Sequence, residues 1–250
     1  MKKPTPFPAD QSGRRRVRSF VLREGRMTRA QRSALDRLWD RFGLDAGQIL
    51  DCAELFGRTA PVILEIGFGN GDALCHMALA DPNADFVGIE VHRPGIGSAL
   101  LKLEQNEATN VRVACADAAD LLESRIPPGS LAGVRLYFPD PWPKKKHHKR
   151  RIVQDAFVRN VHTALETGGV FHLATDWAPY AEHMLETLAR HDGFRNLAGP
   201  GNFSERPDWR PQTRFERRGL RMGHQVFDLL FEKSAVTTSP PLRASINSPG

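Results

Sequence analysis

The sequence predicts a doubly wound α/β fold, and three observations carry that reading. Pro61-Val62-Ile63-Leu64-Glu65-Ile66 is a short apolar run of the kind that forms a buried parallel strand. Gly67-Phe68-Gly69-Asn70-Gly71 and the helical pattern of Asp72 to Ala80 follow it without a break, giving a strand, a glycine-rich turn and a helix in succession. Strand and helix patterns then alternate for the next hundred residues, as they do when helices cover both faces of a parallel sheet.

The totals bound the problem. A chain of 250 residues, 40% hydrophobic and 26% charged, can bury a sizeable core in one large α/β domain or two small ones. Cys52, Cys75 and Cys115 are far apart and odd in number, which points to a reducing compartment and to no disulfide framework. The basic start, Met1 to Pro8, has no apolar run behind it and does not read as a secretory signal. No stretch reaches the roughly 20 apolar residues of a membrane span. The expectation is a cytoplasmic protein that is not membrane-bound.

Taken in order, residues 1–19 are rich in Pro, Arg and small polar residues and are expected to form a disordered basic arm. From Arg14 to Arg32 there are eight arginines and one acid, Glu24, which is either a contact with phosphates or a solvated tail and helix face. Thr28-Arg29-Ala30-Gln31 fits a capping box. Leu35, Leu38, Trp39 and Phe42 follow at helical spacing, with Gly43 as the stop. Residues 44–60 carry no clear pattern.

After the glycine turn, Asp85 to Glu90 is a second strand that ends in an acid, Glu90, placed to accept the hydroxyls of a ribose. Pro94 to Gln105 is a helix and Val111 to Cys115 a third strand. Asp117 is positioned to cap the helix containing Leu121 and Leu122. Leu131 to Phe138 is the fourth strand. Ile152 to Leu165 is a helix closed by Gly168-Gly169, and Val170 to Ala174 is the fifth strand, with Asp176 at its tip. Asp176 is either an N-cap or a substrate contact. Pro179 suits the first turn of the next helix. Thr213-Arg214-Phe215-Glu216 is a second capping box, crowded by Arg217, Arg218 and Arg221. Gln225 to Phe231 is a final strand, and residues 234–250 are expected to be a disordered tail.

The densest stretch runs from Leu136 to Arg151. An apolar strand breaks at three prolines around Asp140 and Trp142, then enters eight residues, Lys144 to Arg151, that hold six cations and two histidines. The chain has 35 Lys and Arg against 29 Asp and Glu, so these six cations account for the whole net charge of +6. A patch so concentrated is the footprint of a phosphate-backbone binder. Trp142 is read either as packing or as a ring that stacks on a base.

The glycine turn discriminates among ligands. Asp72 stands where a dinucleotide fingerprint wants a small residue, and an acid there would face a pyrophosphate. Glu65, before the first glycine, suits a ligand with a cationic amino group. Glu-x-Gly-x-Gly-x-Gly resembles the first motif of class I S-adenosylmethionine methyltransferases. Leu64 to Gly71, Gly88-Ile89-Glu90-Val91-His92, Pro139 to Arg151, Ala174-Thr175-Asp176-Trp177 and Thr213 to Glu216, in that order, resemble the bacterial tRNA (guanine-N7)-methyltransferase family over roughly residues 18–233.

That resemblance implies a Rossmann-like class I methyltransferase fold in one domain, residues 20–233, with a seven-stranded, mostly parallel sheet whose last strand is antiparallel. It implies S-adenosylmethionine as cofactor, held by Glu65, Gly67, Glu90, Asp117 and Asp140, with Asp140 also catalytic. It places Lys144, Asp176, Thr213, Arg214, Phe215 and Glu216 at the target nucleotide. It turns Lys146, His147, His148, Lys149, Arg150 and Arg151 toward tRNA, the substrate atom being N7 of guanosine 46 in the variable loop. Pro143 departs from the family, whose members often carry His there. A monomer is the expectation.

The nearest rival is an amino-methyltransferase, whose strand-end motif needs one more proline than Asp140-Pro141-Trp142 supplies. A nucleic-acid-binding protein that has lost activity is opposed by the acids at 65, 90 and 140. No metal is expected, because His147 and His148 are adjacent and lack partner ligands at usable spacing.

Overall fold

The computed structural model describes residues 18–20, 25–213, 216–217, 223 and 225–235. The two expected tails, 1–17 of the arm and 236–250, lie outside these residues, as do Arg214 and Phe215.

Seven strands form one sheet: β1 (Val62–Ile66), β2 (Asp85–Glu90), β3 (Val111–Cys115), β4 (Leu131–Tyr137), β5 (Leu165–Thr175), β6 (Phe194–Asn196) and β7 (Phe227–Lys233). Their order is β3-β2-β1-β4-β5-β7-β6. The first five pair in parallel, and β7 runs antiparallel to both β5 and β6. The sheet grows outward from β1 to β3, then restarts on the other side of β1 with β4. The crevice beyond the carboxyl ends of β1 and β4 is therefore the topological switch point, where open α/β sheets bind ligands.

Two apolar layers follow from the two faces of the strands. Val62, Leu64, Val134 and Leu136 join Leu121 and Leu122 of α5 (Ala118–Ser124), Phe157 and Val161 of α6 (Asp155–Ala164), and Tyr180 and Met184 of α7 (Ala178–Ala189). Phe86, Val111, Val113 and Tyr137 join α1 (Arg29–Phe42), α3 (Asp72–Ala80) and α4 (Arg93–Gln105) through Leu35, Phe42, Leu74, Ile96, Leu100 and Leu103. The capping box of α1 is formed: Gln31 N–H donates to Thr28 Oγ1 at 3.2 Å, and Thr28 N–H to Gln31 Oε1 at 2.8 Å. Gly43 ends the helix, where a side chain would strike the ring of Trp39.

Three features depart from the sequence reading. The helix expected from Ile152 begins only at Asp155. The residues before it are used for tertiary bonds instead: Val153 N–H donates to Tyr180 Oη at 3.3 Å, and Val153 O lies 2.8 Å from His183 Nε2. Gly168-Gly169 does not end that helix, because α6 stops at Ala164 and the chain enters β5 at once. The glycines sit in a bulge, since Leu131 pairs with Leu165 but Gly133 pairs with Val170. Finally, α2 (Cys52–Phe56) and β6 are five and three residues long, too short for a period to show.

Gly71 and Gly67 separate two roles of glycine. Both have positive φ, +75° and +71°, but a Cβ on Gly71 would stand 2.5 Å from Ala99 Cβ, while one on Gly67 would meet open space. Gly67→Ala should cost about 1–2 kcal/mol of strain, and Gly71→Ala roughly 1–3 kcal/mol more from overpacking of α4. Urea unfolding of the two variants checks this, and equal losses would contradict it.

Candidate active site

The glycine turn lines one wall of the switch-point crevice. Its own amides are used to hold its shape: Gly67 N–H donates to Ile89 O at 2.8 Å and Gly69 N–H to Glu90 Oε2 at 2.8 Å. Glu90 Oε1 accepts from Val91 and His92 N–H at 2.7 and 2.9 Å, so this carboxylate is aimed by three backbone donors. Gly95 of α4 lies against Gly69 O, where a Cβ would be 2.4 Å away. In front of Gly67 and Gly69 there is open space.

Glu65 is 3% exposed, and its Oε2 finds no hydrogen-bond partner among the described residues. Burial pushes its carboxyl up to about 8, against the pull of the buried Arg135 guanidinium, and the neighbouring Glu90 adds to the rise. A buried acceptor without a donor, behind an open glycine wall, fits a ligand that brings a cationic N–H. Asp117 does cap α5, with Oδ1 accepting from Ala119 N–H at 3.0 Å.

The other wall is the turn after β4. Phe138 and Trp142 bracket Pro139-Asp140-Pro141, and both have left-handed backbones, φ +51° and +44°. For bulky residues this is strained and persists only where surrounding bonds impose it. The bonds are present. Phe138 N–H donates to Ala174 O at 2.7 Å, Arg151 Nε to Pro141 O at 2.9 Å, and Trp142 Nε1 to Ser19 O at 2.9 Å. The Arg150 guanidinium lies 3.9 Å above the Trp142 ring and bonds Arg18 O and Phe20 O. Asp140 stands exposed at the head of this turn.

Against this geometry, three comparisons are informative. Residues 59–229 match the family model described as "Putative methyltransferase". The tRNA (guanine-N(7)-)-methyltransferase of Alcanivorax borkumensis is 60% identical over 222 residues, covering 88% of this chain and 93% of that protein. The chain belongs to the tRNA (guanine-N7)-methyltransferase family. The protein of the same name from Alkalilimnicola ehrlichii is 57% identical over 225 residues, covering 89% of this chain and 94% of that one. The crystal structure of an rRNA methylase from Streptococcus thermophilus shares the fold, with a TM-score of 0.50 at 13% identity over 70% of this chain and 88% of that chain.

Within this family member the cationic run divides in two. Lys145–Arg150 forms a 3-10 helix. Lys144, Lys145, Lys146 and Lys149 are exposed, and His147 and His148 are half-buried. Burial and the surrounding cations hold the His147 imidazole below its ordinary value. Arg150 and Arg151, expected at the tRNA, both bond the protein itself. Arg150 is spent on Trp142 and the arm. Arg151 is 4% exposed, with its guanidinium 4.8 Å over the Tyr180 ring, Nη1 3.5 Å from Pro179 O and Nη2 3.3 Å from His148 Nε2. It therefore ties the turn bearing Asp140 to the start of α7. Trp142 is packing, because its ring and its N–H are both occupied. Asp176 does not cap α7, whose N-cap is Trp177. Among the described residues no group of three or more His, Cys, Asp or Glu is arranged to hold a metal, and no helix is long and apolar enough to cross a membrane.

A buried chain of polar groups, absent from the sequence reading, supports Thr213 and Glu216. Thr213 Oγ1 accepts from Glu216 N–H at 3.1 Å, completing the expected cap. The Glu216 carboxylate is clasped by Arg210 through bonds of 2.6 and 2.9 Å. Arg210 also bridges Asp228, which meets His172 Nε2 at 2.8 Å, and His172 Nδ1 lies 3.0 Å from Tyr137 Oη. Burial drives the His172 imidazole down to about 4, so it is neutral. An ionised Asp228 can only accept, which puts the His172 proton on Nε2 and leaves Nδ1 to accept from Tyr137. Glu216 is 3% exposed and shapes its loop rather than presenting an edge to solvent. These partners come from β4, β5, β7 and a loop, with no local pattern to announce them.

Two outcomes follow. Arg151→Ala removes a buried guanidinium that donates to Pro141 O and Pro179 O and covers the Tyr180 ring, and should cost about 2 kcal/mol, whereas Lys146→Ala should stay within about 0.5 kcal/mol of wild type; thermal unfolding distinguishes them. Glu65 has a folded pKa raised from 4.5 to about 8. Its stabilisation is complete below the unfolded pKa and is lost as pH rises through the window between those values. Stability measured against Glu65→Gln by urea titration should fall across that window and level off above it.

Proposed function

We propose that this protein transfers the methyl group of S-adenosylmethionine to N7 of guanosine 46 in the tRNA variable loop. The observation that carries the reading is the strained turn that delivers Asp140 to the switch-point crevice beside the glycine wall, in a chain of this family. The cofactor would be held by Glu65, Gly67, Glu90, Asp117 and Asp140. The partnerless Glu65 oxygen suits its amino group, and Glu90 Oε2, with one lone pair to spare, suits a ribose hydroxyl. Bound there, S-adenosylmethionine supplies a sulfonium methyl that passes to N7 as its bond to sulfur breaks.

Guanine N7 carries an in-plane lone pair, so no residue need take a proton before transfer. The protein's task is alignment. The purine gains positive charge as the methyl arrives, and a fixed carboxylate at Asp140 or Asp176 stabilises that charge or holds the guanine N1–H and amino edge. N7 lies on the major-groove edge, so the base is turned out of the loop to reach the crevice. Lys144, Asp176 and the Thr213-Arg214-Phe215-Glu216 segment surround the nucleotide, Glu216 acting through Arg210. Lys146, His147, His148 and Lys149 meet the tRNA backbone. The working unit is a single domain over residues 20–233, monomeric and cytoplasmic.

Unmodified tRNA transcript, labelled S-adenosylmethionine and the protein test this together. Borohydride reduction and aniline cleavage should give one cut, in the variable loop, lost when that guanosine is replaced. Asp140→Ala should lower the rate by roughly 100-fold or more. Label incorporated without cleavage would mean methylation at another atom.

A further inference from the structure

Trp177 is the N-cap of α7, a position where Ser, Thr, Asp or Asn would satisfy a free helix N–H. Its side chain makes no capping bond. Its ring is 39% exposed, and Ala178 and Pro179 beside it are exposed too. The other three tryptophans have ring or cation partners: Trp39 packs on the α1–α3–α4 core, Trp142 lies under Arg150, and Trp209, 49% exposed, meets Arg135 at 5.8 Å and His172 at 6.2 Å. Among the described residues no aromatic ring or guanidinium lies against Trp177. A large apolar side chain thus keeps more than a third of its surface open to water and makes no capping bond.

Its position is informative. Ala174 pairs with Tyr137 in the sheet, and Ala174 O holds Phe138 N–H. Arg151 bonds both Pro141 O and Pro179 O. The tip of β5 carrying Asp176-Trp177 therefore stands beside the turn carrying Asp140, with the exposed lysines 144–146 next along the chain. A flat π-face flanked by carboxylates and bordered by cations is complementary to a base on a phosphate backbone, with a face to stack, an edge to bond and a charge to neutralise.

We propose that the indole of Trp177 is the stacking platform for the target guanine, a base-binding subsite that rests on the N7-methylation reading. The ring contributes to the chemistry as well as to binding. A purine that becomes cationic on N7-alkylation is attracted to an indole face more strongly than a neutral one, so the contact tightens toward the transition state.

The test compares Trp177→Ala, Trp177→Leu and Trp177→Phe on unmodified tRNA. Trp177→Ala should lower kcat/KM for tRNA by roughly 5- to 150-fold. Phe should recover most of the loss and Leu little, while S-adenosylmethionine affinity by calorimetry and the melting temperature stay at wild-type values. Wild type should show tryptophan quenching by tRNA that Trp177→Phe lacks and that an abasic target nucleotide removes. An active wild type with an equally active Trp177→Ala overturns the proposal alone, as does Leu matching Phe or quenching that survives the abasic site. A wild type that leaves no 7-methylguanosine overturns the underlying reading and the proposal with it.

Discussion

Because β1 and β4 are neighbours whose following connections cover opposite faces of the sheet, a crevice opens beyond their carboxyl ends. Every part of the site is arranged around that opening. The glycine turn forms one wall because β1 ends there, and the Pro139–Pro141 turn forms the other because β4 ends there. Glu90 reaches in from β2, and Asp176 and Trp177 stand at the end of β5. A sheet with a different strand order would scatter the same residues.

The second wall is held against its own preference. Two bulky residues with left-handed backbones, each costing of order 1–3 kcal/mol, would relax unless their surroundings prevented it. Arg151 and Arg150 supply the restraint from within the cationic run. A guanidinium presents donors in a fixed fork and stacks on aromatic faces, so it can hold two carbonyls and cover a ring at once. Lysine could not do both. The same run of charge therefore serves two ends: its lysines face water, and its final arginines hold the turn bearing Asp140 together.

The Tyr137–His172–Asp228–Arg210–Glu216–Thr213 chain does the corresponding work for Thr213 and Glu216. Buried ions contribute little net stability, because desolvation offsets their attraction. Their value here is geometric. Arg210 satisfies two carboxylates, a neutral His172 relays to Tyr137, and Thr213 and Glu216 are referenced to three strands of the sheet.

Much of the architecture was legible from local pattern. The bounds of α3, β2 and β3, the capping boxes at Thr28 and Thr213, the cap at Asp117 and the glycine corner all follow from spacing and residue type, because the forces behind them act over a few residues. The bulge at Gly168-Gly169 was misread as a helix end, since glycine marks both and only pairing with β4 separates them. Composition and motif order determined the fold class, the placing of acids at strand ends and the concentration of charge after β4. The direction each side chain takes was decided by tertiary structure alone. Arg151 turns inward and Lys146 outward, Trp142 is half-buried and Trp177 more open, and Arg210 finds Asp228, because burial and partners depend on elements that meet only when the sheet has formed.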